Sequence, residues 1–186
     1  MAEFAKLRVG LAQINPTVGA LRENAAKILD YYGQAADAGC DVVAFPELSI
    51  TGYPPEDLVL KQGFVAENQF VLAEIVKSIG ETYAVIGFVE QGQKSGELYN
   101  AAAICQNQKV VGVYRKHLLP NYNVFDEQRY FTPGIHNPLF NIKGACVGVT
   151  ICEDIWDSQG PVSVQASLGA VLNLNINGSP FHAGKI

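Results

Sequence analysis

Apolar and polar positions fall into blocks that switch between the strand period and the helix period. Lys6–Ile14 is a short apolar run around Val9 and Leu11 that stops at Asn15-Pro16, and it predicts a buried strand. Leu21–Ala38 sets Leu21, Ala25, Ile28, Leu29, Tyr32 and Ala36 at helical spacing, with Gly39 as the stop. Asp41–Phe45 predicts a second strand cut off by Pro46, followed by a loop dense in turn residues through Pro55. A helix is expected around Phe64–Ile79, with Leu72, Ile75, Val76 and Ile79 on one face, and then a strand over Tyr83–Val89.

The pattern then changes. Leu98–Cys105 and Lys109–Tyr114 flank Gln106-Asn107-Gln108 and predict an antiparallel hairpin. A polar, aromatic-rich loop is expected from Arg115 to Pro138. Ala145–Cys152 predicts a strand with Ala145, Val147, Val149 and Ile151 on one side and Cys146, Gly148, Thr150 and Cys152 on the other. A helix over Val162–Leu168 and a strand over Ala170–Asn177 complete the series, the strand with one apolar and one strongly polar face. Mixed strands, helices and a hairpin indicate a layered α/β or α+β fold, a sheet covered by helices.

Composition narrows the class. A chain of 186 residues is long enough for a real core, burying roughly 70% of its unfolded surface. Hydrophobic residues make up 48% and charged residues 17%, which argues against disorder and leaves apolar surface for a partner. The formal net charge of -5 is the wrong sign for a non-specific nucleic-acid binder. The N-terminal stretch lacks the basic and apolar regions of a signal peptide, and no apolar run approaches the ~18 residues of a membrane span. The four cysteines, Cys40, Cys105, Cys146 and Cys152, form no C-x-x-C pair. They read as free thiols of a reducing, cytoplasmic compartment, with neither a disulfide framework nor a zinc site.

Common catalytic motifs are missing: no G-x-S-x-G elbow, no phosphate-binding loop, no G-x-G-x-x-G, and no ligand spacing among His117, His136 and His182. What remains is a set of polar residues one step beyond apolar strands. Glu47 follows Val42–Pro46, Lys116 follows Val110–Tyr114, and Cys152 closes Val147–Ile151. Taken singly, Glu47 fits a solvated loop acid, Lys116 a surface lysine and Cys152 a buried thiol. Together they cover base, oxyanion partner and nucleophile for attack on an unactivated amide or nitrile carbon, without a histidine or a metal.

Phe45-Pro46-Glu47-Leu48, Tyr114-Arg115-Lys116 and Ile151-Cys152-Glu153-Asp154 resemble the three signature segments of the nitrilase (carbon–nitrogen hydrolase) superfamily. Three further segments, Leu48–Leu58, Lys116–Phe131 and Asn177–Lys185, are similar to the glutaminase domains of glutamine-dependent NAD(+) synthetases. The resemblance runs from Leu7 to Lys185. It implies an α-β-β-α sandwich formed by one domain over 1–186, with Glu47, Lys116 and Cys152 as the catalytic triad. Cys152 would attack the side-chain amide of L-glutamine, Glu47 would take and return protons, and Lys116 would stabilise the oxyanion.

The same resemblance makes Glu127 a second acidic residue that orients Lys116 or the substrate amino group; an ordinary ion pair is the alternative. It makes Tyr122, Ser179 and Lys185 glutamine contacts and has Tyr53 and Phe125 wall the pocket. Plain packing also accounts for Tyr53 and Phe125, and Lys185 stands next to the last residue. ATP, Mg and nicotinic acid adenine dinucleotide would belong to a separate synthetase domain, whose pyrophosphate loop is not found here. The implied partners are glutamine, that synthetase domain on the same longer polypeptide, and further copies in a homo-oligomer, with no nucleic acid and no membrane. Against the family, 186 residues are expected to lack the last strands and helix of the sandwich, leaving apolar surface at a sheet edge. Two other readings stay open: a superfamily member that hydrolyses a different small amide or carbamoyl compound, and a non-catalytic interaction module.

Overall fold

The apolar runs form strands, the central ones covered on both faces. The computed structural model describes residues 6–94, 96–122, 125–179 and 183. A five-stranded sheet holds β1 (Val9–Leu11), β2 (Val42–Ala44), β3 (Tyr83–Gln91), β4 (Leu98–Gln106) and β5 (Lys109–Arg115) in that spatial order. The pairs β1–β2 and β2–β3 are parallel, whereas β3–β4 and β4–β5 are antiparallel. A three-stranded sheet holds β6 (Leu139–Ile142), β7 (Ala145–Ile151) and β8 (Leu172–Ile176), with β6–β7 antiparallel and β7–β8 parallel.

Strand alternation decides which side chains join which layer. Val43, Ala84, Ile86, Phe88, Ala101, Ala103 and Cys105 face α1 (Leu21–Asp37) and α2 (Gln62–Val76), packing with Ile28, Val71, Leu72 and Ile75. The alternate residues Val42, Ala44, Val85, Ala102 and Ile104 face the second sheet and meet Ala145, Val147, Val149, Ile151, Leu174 and Ile176. The outer side of the second sheet carries α3 (Pro161–Ser167), whose buried Gln165 donates to the Val149 carbonyl at 3.0 Å. The layers are therefore α-β-β-α.

The structure trims and supplements the sequence reading. The first strand is three residues, not nine, because its ladder partner β2 has only Val42–Ala44 to offer. The second helix begins at Gln62 and ends at Val76. The long polar loop contains a short 3₁₀ turn over Glu127–Arg129, and the strand β6 beyond it is an element the apolar pattern did not show. A second unforeseen 3₁₀ turn spans Glu56–Leu60. Strand β7 stops at Ile151, so Cys152 is not on the strand but opens a 3₁₀ turn over Cys152–Ile155. Among the described residues, β8 pairs on one side only, and Val171 before it and Leu11 on edge strand β1 are 76% and 77% exposed.

Polar residues fasten the strand ends that matter for chemistry. Asp154, fully buried, accepts the Tyr114 hydroxyl at 2.7 Å and the backbone N–H groups of Leu118 at 2.8 Å, Ile151 at 3.0 Å and His117 at 3.2 Å. One carboxylate thus ties the end of β7 in one sheet to the end of β5 in the other. Asn24 on α1 donates to the Ile50 carbonyl at 2.9 Å and both accepts from and donates to Thr17, which anchors the loop after β2. Gly87 on β3 lets that loop approach: a Cβ there would lie 2.4 Å from the Pro46 carbonyl oxygen and from the Leu48 nitrogen.

Two outcomes follow in denaturant titrations of the 186-residue chain. Gly87→Ala should lose about 1–3 kcal/mol, the usual cost of overpacking where backbone must yield; an unchanged midpoint would show that the loop after β2 moves freely. Asp154→Ala should lose at least about 2 kcal/mol, because it strands buried donors on two elements at once.

Candidate active site

Four strand ends converge. Glu47 follows β2, Lys116 follows β5, Cys152 follows β7, and Ser179 lies three residues beyond β8. The C-terminal ends of β2 and β5 point the same way within their sheet, since two antiparallel steps separate β3 from β5. Loops at such strand ends are where sheet proteins gather functional groups.

The centre is the Lys116 ammonium, whose side chain is fully buried. It donates to Glu47 Oε1 at 2.7 Å and to both Glu127 oxygens at 2.8 Å. Burial works against its charge, but the Glu47 and Glu127 carboxylates outweigh that and hold its pKa above the usual lysine value. Glu127 sits on the 3₁₀ turn of the long loop and also accepts the Tyr53 hydroxyl at 2.8 Å. Burial, then repulsion by Glu47, raises the Glu127 carboxyl despite the neighbouring ammonium. The Tyr53 phenol is raised as well, by burial and then by Glu127 and Glu47.

Glu47 divides its two oxygens. Oε1 accepts from Lys116 and from the Asn100 side-chain amide at 2.8 Å, while Oε2 accepts the Gly178 backbone N–H at 2.9 Å. With one N–H bond recorded, Oε2 keeps acceptor capacity for a further proton. A cavity of about 210 Å³ opens beside it, lined among others by Gln13, Tyr53, Asn177 and Ser179.

Cys152 adopts φ +46°, a left-handed conformation unusual for a residue with a side chain, at the sharp turn from β7 into the 3₁₀ turn. Its thiol is 3.1 Å from the Ser179 hydroxyl. The thiol is pushed up to about 11, chiefly by burial and then by Glu47, with Lys116 and Ser179 opposing. The resting sulfur is therefore protonated at neutral pH. A carboxylate beside such a thiol can take its proton during attack, and an ammonium can stabilise the oxygen charge that develops afterwards.

The remaining expected residues take their places as follows. Tyr122 is half exposed and donates to the Glu153 carboxylate at 2.8 Å. Its ring meets Phe125 edge-on at 5.6 Å, and Phe125 stands 6.3 Å from Tyr53, so these aromatics form one wall. Lys185 lies outside the described residues. Ser179, expected as a glutamine contact, has its hydroxyl beside the Cys152 sulfur. Sequence reasoning passed over Asn100 and the role of Asp154. Asn100 sits inside an apolar strand with nothing nearby in sequence to mark it, whereas Asp154 stands in the Ile151–Asp154 segment and could have been suspected there.

Among the described residues no group of three or more His, Cys, Asp or Glu side chains could hold a metal ion. All four cysteines are free. No described helix is long and apolar enough to cross a membrane.

Comparison with known proteins agrees with this geometry. The chain is 45% identical over 185 residues to the glutamine-dependent NAD(+) synthetase of Thermotoga maritima, covering 97% of this chain and 31% of that protein. It is 42% identical to the Xanthomonas campestris protein of the same name, covering 96% of this chain and 32% of that one. The chain thus spans about a third of the length of the curated relatives it matches. Among solved structures, glutamine-dependent NAD+ synthetase from Acinetobacter baumannii superposes with a TM-score of 0.90 at 39% identity, over 96% of this chain and 33% of that one. An amidase from Nesterenkonia sp. AN1 shares the fold at a TM-score of 0.81 and 20% identity, over 92% of this chain and 67% of that one. Residues 8–185 match the carbon-nitrogen hydrolase family, and the chain belongs to that family.

Proposed function

We propose that the chain is a glutaminase domain, hydrolysing the side-chain amide of L-glutamine to glutamate and ammonia through a cysteine thioester. The observation that carries this is the convergence of Glu47, Lys116 and Cys152 from three strand ends into one buried site. The names of the relatives supply the substrate.

Because the thiol is held up near 11, deprotonation accompanies attack rather than preceding it. Cys152 sulfur bonds to the amide carbon while its proton passes to Glu47. The carbonyl π electrons move to oxygen, which Lys116 stabilises together with a backbone N–H near Cys152. Glu47 returns the proton to nitrogen, the C–N bond breaks, and ammonia leaves a thioester. Water then loses a proton to Glu47 and adds to the thioester carbon; glutamate departs and the thiol is restored. Glu127 holds Lys116 through both carboxylate oxygens and fixes Tyr53. Tyr122, Ser179 and Lys185 are assigned to the amino-acid end of glutamine, with Tyr53 and Phe125 walling the pocket. Ser179 must then exchange its thiol contact for a ligand contact.

In a longer polypeptide, residues 1–186 would form one amidohydrolase domain feeding ammonia to a synthetase domain. That partner would amidate nicotinic acid adenine dinucleotide with ATP and Mg, groups assigned to it and not to this chain. Homo-oligomerisation and a cytoplasmic setting belong to the same reading.

Three measurements test it. Glutamate release should be lost in Cys152→Ala. Glu47→Gln should lower kcat by ~10²–10⁴-fold, as expected for a general base; activity near the parent level would remove Glu47 from that role. A glutamine-analogue electrophile should add one mass increment, located at Cys152. Turnover of another small amide with none of glutamine would overturn the substrate assignment. A folded chain that neither turns over nor is labelled would favour the non-catalytic interaction module.

A further inference from the structure

We propose that Asn100 is a positioning residue that keeps Glu47 ready to accept a proton, by bridging the two carboxylates that flank Lys116. It rests on the role given to Glu47 above. Asn100 lies on β4, 1% exposed, between the apolar neighbours Tyr99 and Ala101. Its amide Nδ2 donates to Glu47 Oε1 at 2.8 Å and, more weakly, to Glu127 Oε2 at 3.4 Å. Its backbone carbonyl accepts the Lys116 N–H at 2.9 Å. One residue thus touches every member of the charged cluster.

The orientation of the amide is set by chemistry. Turned over, it would place its oxygen against two carboxylates. As it stands, Asn100 Oδ1 is buried with no hydrogen-bond partner among the described residues. Native cores rarely keep such an acceptor, and a leucine of similar size would suit the apolar strand without it. The asparagine is accounted for by what its nitrogen does. A neutral donor shared between two carboxylates ties them together beside Lys116 while adding no charge of its own. Lysine there would crowd Lys116, and aspartate would add a third negative group.

The groups that face this cluster are Tyr53 and Glu47 from the loop after β2, Lys116 beyond β5, Glu127 on its 3₁₀ turn, Cys152 beyond β7 and the Gly178 N–H beyond β8. Losing the Asn100 donor disfavours carboxylate ionisation, and adding a carboxylate disfavours it more. In both cases activity should fail at a higher pH than in the parent as acid is added.

The test compares Asn100→Leu and Asn100→Asp with the parent. Asn100→Leu should lower kcat by up to ~10²-fold through a misplaced base, with a much smaller change in KM. The acid limb of the kcat/KM profile should move to higher pH by about one unit in Asn100→Asp, and by less in Asn100→Leu. A loss of rate that is uniform with pH would reduce Asn100 to ordinary packing and overturn the proposal. The parent chain gives a readout that needs no variant to fold. In 15N-labelled protein without glutamine, the Asn100 side-chain amide resonance should shift over the pH range of that acid limb, and a resonance that stays still would overturn the proposal. A shifting resonance in a protein that spares glutamine would remove the substrate assignment and leave Asn100 in place. A still resonance in an active glutaminase would do the reverse.

Discussion

An ammonium with no exposure to water has to be compensated where it sits, and the fold around Lys116 is arranged to do that. Isolated burial of such a charge costs several kcal/mol even after relaxation. Glu47 and Glu127 each come within 2.8 Å of it, one from the loop after β2 and one from the long loop after β5. Two carboxyl groups around one ammonium overcompensate. Burial first, and this surplus negative charge after it, explain why Glu127, Tyr53 and the Cys152 thiol all resist losing a proton. Burial and the charge imbalance act in the same direction on all three groups.

Bringing these groups together requires two sheets. Glu47 and Lys116 belong to the five-stranded sheet, Cys152 and Ser179 to the three-stranded one, and the apolar layer between them fixes their spacing. Polar ties then hold the ends in register. Asp154 binds the start of the Cys152 turn to the segment after Lys116, and Gly178 reaches back from beyond β8 to Glu47. The left-handed backbone at Cys152 is tolerated because hydrogen bonds on both sides of it are already committed. The site is an outcome of sheet packing rather than of any one loop.

This explains what could be read in the sequence. Central strands announce themselves as unbroken apolar runs because both their faces are covered. Glu47, Lys116 and Cys152 were legible as polar residues where such runs end. Strand β6 was not, since its four residues are mostly half-buried and pair with β7 alone. The length of β1 was not either, because a strand is only as long as the partner that pairs with it. Asn100 was invisible for a different reason. Its significance lies in two carboxylates distant in sequence, 53 and 27 positions away, and no local pattern encodes that. The contact of Ser179 with the Cys152 thiol depends on how β8 lies beside β7, which no local pattern encodes.

The charge imbalance also bears on how the nucleophile is protected. Thiolates, not thiols, are the species alkylated and oxidised, and a thiol pushed up to about 11 holds little thiolate at neutral pH. Papain-like sites face the opposite situation, with a histidine cation that pre-forms the thiolate. In the proposed mechanism reactivity comes from a bound carbonyl, whose oxygen takes the developing charge beside Lys116 as the proton reaches Glu47. Negative charge then moves from a position near the carboxylates to one beside the ammonium, which is the direction the field of the site favours.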